Sequence, residues 1–184
     1  MLKLIKKIRE ETGAGVVDVK KALDEASGDE KKALEILREK GLQKADKKAN
    51  RIAGEGVVVS YIHADGKSGA MLKLLCETDF VAKNSDFQEL ANDIAMQIVA
   101  MNPLAIKEAD ITDEMLVDVK EELEKDGLTG EELANKISEI KKEKALYSQV
   151  FVKNPELTVE ELIKDKIATI GENIKVAEFI KMDI

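Results

Sequence analysis

The chain has 184 residues, of which 44% are hydrophobic and 36% are charged, and its formal net charge is -8. An acidic protein of this size can build a modest core, but it is poorly suited to binding nucleic acid, because basic residues that neutralise phosphates supply most of that affinity. The single cysteine excludes an intramolecular disulfide and no apolar run is long enough to cross a membrane, so we expect a cytoplasmic protein without a membrane partner.

Residues 1–42 predict a three-helix domain. Apolar residues recur at helical spacing in three runs, which are Leu4, Ile5 and Ile8, then Val16, Val19, Leu23 and Ala26, then Ala33, Leu34 and Leu37. A glycine-rich segment at 12–15 separates the first two runs. Gly28 is suited to the left-handed position that ends a helix, and Asp29 is suited to capping the next one. We expect Gly41 to end the third helix.

Residues 43–55 are polar and basic, and we interpret them as a partly helical linker that leads into a core at 56–184. The β-branched run 57–63 predicts a strand, Asp65-Gly66 supplies a hairpin turn, and 70–77 predicts a second, antiparallel strand. The only histidine, His63, ends the first strand without a motif that would pair it with a nucleophile, so we expect a surface histidine.

A polar corner at 76–84 directly follows the second strand. Thr78 and Asp79 are good helix N-cap residues, and Asn84 offers a second cap, so the chain is expected to turn from a strand into a helix here. Phe80 lies between the two caps, where side chains are presented rather than packed. Burial habits alone favour a core position for Phe80, and on the residues themselves that alternative stays open.

The rest of the chain predicts further helices and a final strand. Apolar spacing of three and four from Phe87 to Met101 predicts a helix that Pro103 ends. Two narrow apolar stripes at about 112–146 predict an inserted helical hairpin, and 158–182 predicts a C-terminal helix followed by a strand. The sequence therefore predicts an α+β protein in which a three-stranded antiparallel sheet packs with helices.

The sequence contains no motif typical of a phosphate-binding, metal-binding or catalytic site. Gly66-Lys67-Ser68 is no phosphate-binding loop, because Tyr61 stands where the first glycine of that loop belongs and a strand follows instead of a helix. Cys76 has apolar neighbours and is expected to be a buried small hydrophobic residue. No Cys/His cluster has the spacing of a metal site. We therefore expect no cofactor, no metal and no enzymatic activity.

Three separated blocks of the sequence occur in the order of a known family. They are Thr12-Gly13-Ala14-Gly15 with Lys20-Lys21-Ala22-Leu23 and Glu25-Ala26-Ser27-Gly28-Asp29; Thr78-Asp79-Phe80-Val81-Ala82-Lys83-Asn84; and Gln149-Val150-Phe151-Val152-Lys153 with Ile170-Gly171-Glu172-Asn173-Ile174. These blocks resemble the elongation factor Ts family in its short bacterial form. The resemblance implies a guanine-nucleotide exchange factor that releases GDP from elongation factor Tu, and a ubiquitin-associated-like N-terminal domain that docks on the same partner.

The resemblance also implies the residues that bind elongation factor Tu, in its GDP-bound and nucleotide-free states. They are Thr78, Asp79, Phe80 and Val81. Phe80 would enter an apolar pocket of the partner, and Asp79 would act beside it, so that the magnesium and phosphate contacts loosen. The alternative function is a protein-protein adaptor with a ubiquitin-associated-like domain, which would not need such a corner.

A homodimer is expected as well, because the chain has one hairpin and one closing strand, which is half of the two-part core that long members of the family carry. The resemblance to short members implies pairing through the sheets. A lone three-stranded sheet with helices on one side leaves apolar strand residues uncovered on the other. We expect this open face to carry residues such as Val57, Val59, Leu72 or Ile180. Val150, Ala177 and Glu178 depart from the family pattern and bear on the details of pairing.

Overall fold

The computed structural model describes residues 2–184, apart from the side chain of Glu11. Within that range, eight α-helices accompany a three-stranded antiparallel sheet and a two-stranded ribbon. This confirms the predicted α+β class. The ubiquitin-associated-like character of the first three helices stays a prediction.

The helices are α1 (Leu2–Thr12), α2 (Val16–Glu25), α3 (Glu30–Asp46), α4 (Asp79–Ala82), α5 (Ser85–Met101), α6 (Val117–Lys125), α7 (Gly130–Lys144) and α8 (Val159–Ile170). The strands are β1 (Glu55–Ile62), β2 (Ser68–Cys76), β3 (Val150–Phe151), β4 (Asn154–Thr158) and β5 (Lys175–Asp183). The order in the larger sheet is β1-β2-β5, and β3 pairs with β4 in the ribbon.

The three N-terminal helices enclose a small apolar core. Its buried residues, most of them at the predicted positions, are Ile5, Ile8, Val19, Ala22, Leu23, Ala26, Ala33 and Leu37. Gly28 has a left-handed φ of +83°, and the side chain of Asp29 caps α3 by accepting a hydrogen bond from the Lys32 backbone N–H at 3.1 Å. Both predicted roles are confirmed.

The third helix passes Gly41 and ends at Asp46, so the predicted end at Gly41 is wrong. Gly41 permits a close approach instead, since a Cβ atom there would lie 3.3 Å from the Cβ of Ala168 in α8. A glycine inside a helix costs about 1 kcal/mol relative to alanine. The close packing of α8 at this point is the physical reason for the glycine.

The chain groups into two compact units. The first combines the chain up to Gly56 with Leu75–Lys83 and Ile163–Lys175, and the second combines Val57–Leu74, Asn84–Leu162 and Val176–Ile184. The division into domains at 1–42, 43–55 and 56–184 stays a prediction. Among the described residues, no helix has the length and hydropathy of a membrane-spanning segment.

The hairpin of β1 and β2 turns at Asp65-Gly66 as predicted. The His63 backbone N–H donates to the Ser68 carbonyl at 2.9 Å, and the Lys67 N–H donates to the Asp65 carboxylate at 2.9 Å. The central strand, β2, buries alternate residues, which are Ala70, Leu72, Leu74 and Cys76. This alternation gives the sheet one buried face and one open face.

The open face of the sheet carries exposed apolar side chains, which are Val58, Ile62, Met71, Ile180 and Met182. Ile180 is exposed as predicted, but Leu72 is buried and Val57 and Val59 are half-buried, so those three assignments are wrong. Both faces of β1 are apolar in sequence. Hydropathy therefore could not tell which set of alternate residues faces the core.

The buried side of α5 consists of the predicted residues Phe87, Leu90, Ala91, Ile94, Ala95 and Ile98. Gln97 is buried among them and holds the ribbon: its Nε2 donates to the Val150 carbonyl at 3.0 Å, and its Oε1 accepts from the Val152 N–H at 2.9 Å. The sequence pattern does not predict this ribbon, because a two-residue strand shows no alternation.

The predicted helical hairpin is present, with α6 and α7 in contact. Neither helix has a fully buried residue, which agrees with their narrow apolar stripes. The next helix, α8, begins with a capping box: the Thr158 hydroxyl accepts from the Glu161 N–H at 3.2 Å, and the Glu161 carboxylate accepts from the Thr158 N–H at 2.9 Å.

Candidate partner-binding site

The corner after β2 is a four-residue helix that lies between two N-caps. Thr78 has extended backbone (φ -128°, ψ 155°), and its hydroxyl accepts a hydrogen bond from the Val81 N–H at 3.4 Å, which starts α4. The side-chain oxygen of Asn84 accepts from the Asp86 N–H at 2.7 Å and starts α5. Both caps are as the sequence predicted.

Phe80 lies on α4 with 82% of its surface exposed, so its interpretation as a core residue is wrong. The same short helix has an inner side, because Ala82 is buried and Val81 is half-buried. Thr78 and Asp79 are exposed beside Phe80. A largely exposed aromatic ring on a capped helix is available for contact with a partner.

Asp79 and Lys83 form an ion pair along α4, with Lys83 Nζ donating to Asp79 Oδ2 at 2.8 Å. The hydrogen bond and the positive charge of Lys83 lower the pKa of Asp79 below its ordinary value of 3.8, and Asp79 in turn raises the pKa of Lys83. Asp79 is therefore negatively charged at neutral pH. Because both side chains are largely exposed, water screens the pair and either group can exchange its partner.

Glu172, which follows α8, fixes the start of the corner. Its Oε2 accepts hydrogen bonds from the backbone N–H groups of Glu77 at 3.1 Å and Thr78 at 3.0 Å, and its Oε1 accepts from the Thr78 hydroxyl at 2.7 Å. Hydrogen bonds to an ionised acceptor are the stronger kind. Three of them converge on the two residues that precede α4.

Glu77 and Asn173 complete this network, because here a side chain of the corner binds the backbone of the segment after α8. Glu77 Oε1 accepts from the Asn173 backbone N–H at 2.6 Å and lies 3.5 Å from Arg51 Nη1. The buried Asn173 side chain donates through Nδ2 to the carbonyls of Ala49 at 3.2 Å and Arg51 at 2.8 Å. Hydrogen bonds from side chains to backbone groups thereby link three segments, which are the corner, the segment after α8 and the turn after α3.

The whole sequence can be compared with known proteins. It matches the family described as "Elongation factor TS" over residues 3–184. The Elongation factor Ts of Thermosipho melanesiensis is 47% identical, over 99% of this chain and 97% of its own length. That of Thermodesulfovibrio yellowstonii is also 47% identical, over 98% of this chain and 94% of its own. That of Carboxydothermus hydrogenoformans is 45% identical, over 98% of this chain and 87% of its own length. The chain belongs to the elongation factor Ts family.

Membership of the elongation factor Ts family makes the chain a translation elongation factor, and it confirms the resemblance that the three sequence blocks carry. The structure brings parts of these blocks together. Residues 12–29, 78–83 and 170–174 all belong to the first compact unit. The corner and its Glu172 contacts therefore lie within the part of the fold where the family's sequence blocks meet.

Other residues that the sequence singled out have structural or surface positions in this chain. Cys76 is buried; burial, together with the negative charge of Glu172, raises the pKa of its thiol to about 11, so the thiol stays protonated, as expected of a small hydrophobic residue. His63 is exposed, with Tyr61 Oη 3.3 Å from its Nδ1. Within residues 2–184, no group of three or more His, Cys, Asp or Glu side chains could hold a metal ion.

Sequence reasoning missed the residues that hold the corner in place, which are Glu77, Glu172 and Asn173. A local signal for them does exist. Glu172 and Asn173 directly follow Gly171, at the point where a helix has ended and a strand has not begun, and polar residues at such a junction need partners when they are buried.

Proposed function

We propose that this protein is a guanine-nucleotide exchange factor that releases GDP from elongation factor Tu during translation elongation in the cytoplasm. Family membership supports a role in elongation. The observation that carries the finer proposal is the exposed ring of Phe80 on a corner that Glu172 holds in place. In this proposal Thr78, Asp79, Phe80 and Val81 bind the partner.

Release of GDP requires that the factor bind nucleotide-free elongation factor Tu more tightly than the GDP-bound form. The coupling is reciprocal, so bound GDP weakens the factor as much as the factor weakens GDP. Changing a nucleotide site from nearly full to nearly empty takes on the order of 5 kcal/mol of differential affinity. A few contacts at one corner can supply most of that, because a small number of residues dominate most interfaces.

Phe80 supplies the apolar part of this affinity. Burying a Phe ring is worth about 1.5–3 kcal/mol, and most of that gain is still available because the ring is exposed in the free protein. A pocket that opens only in the nucleotide-free partner would convert this burial into loss of GDP. Thr78 caps the helix that carries the ring, and Val81, the next residue, is half-buried.

Asp79 supplies the charged part. Its carboxylate is ionised at neutral pH because Lys83 lowers its pKa. A carboxylate brought close to a magnesium and phosphate site repels the phosphates and competes for the groups that bind them. Both actions weaken GDP without breaking any covalent bond. The protein is therefore proposed to act by binding alone, without a cofactor and not as an enzyme.

The three N-terminal helices are proposed to be a ubiquitin-associated-like docking domain for the same partner. Val16 and Val17 are exposed at the start of α2. Residues 1–50 carry 13 basic and 10 acidic side chains, whereas the rest of the chain carries 16 basic and 27 acidic ones. A second contact that differs in charge from the core would raise the overall affinity through multivalency.

A homodimer paired through the open faces of two sheets is also proposed. The exposed residues Val58, Ile62, Met71, Ile180 and Met182 support it, since exposed apolar side chains that share one face of a sheet favour contact with a partner. A second copy of the chain offers a matching face, and twofold pairing is the commonest arrangement of soluble oligomers.

Release of fluorescent GDP from purified elongation factor Tu tests the exchange function. Substoichiometric amounts of this protein are expected to accelerate release, because each molecule can act on many partners. Stable binding without acceleration would favour the adaptor function instead. Absence of both binding and acceleration would overturn the proposal altogether.

A further inference from the structure

The four-residue helix α4 cannot define its own orientation. It has few backbone hydrogen bonds, among them Ala82 N–H to the Thr78 carbonyl and Lys83 N–H to the Asp79 carbonyl, both at 3.2 Å. Helices this short are not stable by themselves, because their hydrogen bonds do not offset the entropy of ordering the chain. The direction in which α4 presents Phe80 must therefore come from contacts outside the helix.

Glu172 and Glu77 provide such contacts by a reciprocal arrangement. The carboxylate of Glu172 binds the backbone N–H groups of Glu77 and Thr78, while the carboxylate of Glu77 binds the backbone N–H of Asn173, next to Glu172. Each acidic side chain thus fixes the backbone on which the other is carried. Glu172 also binds the hydroxyl of Thr78 at 2.7 Å, which orients the residue that caps α4.

We infer that Glu172 is a positioning residue for the exchange site, an inference that rests on the proposed function of Phe80. Glu172 holds residues 77–78 in one conformation, so that α4 and its aromatic ring are already oriented before the partner arrives. Without Glu172, the corner would have to become ordered during binding, and that ordering would reduce the affinity for the nucleotide-free partner.

The first test measures GDP release with variants of Glu172. Glu172→Ala is expected to lower the rate constant of GDP release by about tenfold, the size of effect that lost preorganisation commonly has. Glu172→Gln keeps the shape of the side chain, and its amide oxygen can accept from the same two backbone N–H groups, but it removes the negative charge. Its rate is therefore expected to fall between those of Glu172→Ala and the wild type. Glu139→Ala is the matched control, because it removes an exposed carboxylate that is paired with Lys136 at 2.9 Å in α7.

Combining Glu172→Ala with Phe80→Ala distinguishes a positioning role of Glu172 from a general role in the stability of the fold. If Glu172 acts by presenting the ring, Glu172→Ala has a smaller effect on GDP release once the ring is absent, because only the contacts of the rest of the corner remain to be lost. An equal fold-loss in the presence and absence of the Phe80 ring would overturn the inference.

Amide hydrogen exchange of the free protein tests the positioning without elongation factor Tu. In Glu172→Ala the amides of Glu77 and Thr78 are expected to exchange at least about tenfold faster than in the wild type, while amides of α5 such as Ile94 are unchanged. Unchanged exchange at Thr78 would overturn the inference. If the wild type did not accelerate GDP release from elongation factor Tu, the proposed function would be wrong. The amide measurement would still decide whether Glu172 orders the corner.

Discussion

The charged groups of Asp79 and Lys83 meet at 2.8 Å across one turn of α4, and Phe80 lies between them in the sequence. The exposed ring is thus accompanied by a carboxylate whose charge is already balanced in the free protein. In the proposed function, Asp79 turns to groups on the partner only as its bond to Lys83 is exchanged. The ion pair would then set the electrostatic state from which Asp79 acts.

Replacing Lys83 should change the titration of Asp79. Lys83 stabilises the ionised form, so its removal in Lys83→Met is expected to raise the pKa of Asp79 toward 3.8. Asp79 remains ionised at neutral pH in both proteins, so Asp79 contributes no change in GDP release between about pH 6 and 8. An NMR pH titration of the Asp79 carboxyl carbon measures the pKa directly. Lys136→Met, which breaks a similar pair with Glu139 in α7, should leave it unchanged, and an unaltered Asp79 titration in Lys83→Met would contradict the assignment.

Removing the ring of Phe80 should separate function from stability. Phe80→Ala is expected to slow GDP release by more than tenfold, because the loss of about 1.5–3 kcal/mol of burial in the complex corresponds to at least that factor. The thermal midpoint should barely move, since the ring is 82% exposed. The control is Phe87→Ala, a few residues away and 0% exposed, which should cost about 3–5 kcal/mol of stability. A large loss of stability in Phe80→Ala would mean that the ring packs within the protein.

The predictable part of the site was the part encoded locally. Thr78 and Asn84 are cap residues beside short helical segments, and the spacing from Phe87 to Met101 identifies α5 without reference to the rest of the chain. Each of these features depends on residues within one or two turns of one another. The corner and its caps could therefore be anticipated from neighbouring residues, whereas burial habits alone favoured a core position for Phe80, which is 82% exposed.

The remaining features depend on contacts between distant parts of the chain. Glu172 and Thr78 are 94 residues apart, and no local pattern pairs them. Gly41 is a residue type that often ends a helix, yet α3 continues through it, and its missing side chain permits the close approach of Ala168 in α8. The same limit applies to β1, where valines stand on both faces and only the completed sheet decides which of them is buried.

Deleting residues 1–50 tests the division between the N-terminal domain and the core. The truncated protein is expected to bind elongation factor Tu more weakly and yet keep the circular dichroism of a folded α+β core. It should also be less stable by about 1–3 kcal/mol, because Asn173 loses the Ala49 carbonyl and Ala168 loses its neighbour Gly41. Asp46→Ala in the full chain is the control: it removes the ion pair with Lys164, and its stability should change by less than about 0.5 kcal/mol. An unfolded truncated protein would refute the division at 43–55.

The open face of the sheet is the basis of the last prediction, which concerns the oligomeric state. Sedimentation equilibrium at micromolar concentration is expected to give the mass of two chains for the wild type. Met71→Lys, at the centre of the central strand β2, should give the mass of one chain, because a dimer would have to remove the added charge from water. Met115→Lys is the matched control, since Met115 is 50% exposed and Met71 is 53% exposed, but Met115 lies near the helical hairpin and not on the sheet. A wild-type mass of one chain, or dissociation by Met115→Lys as readily as by Met71→Lys, would show that the sheet face is not the pairing surface.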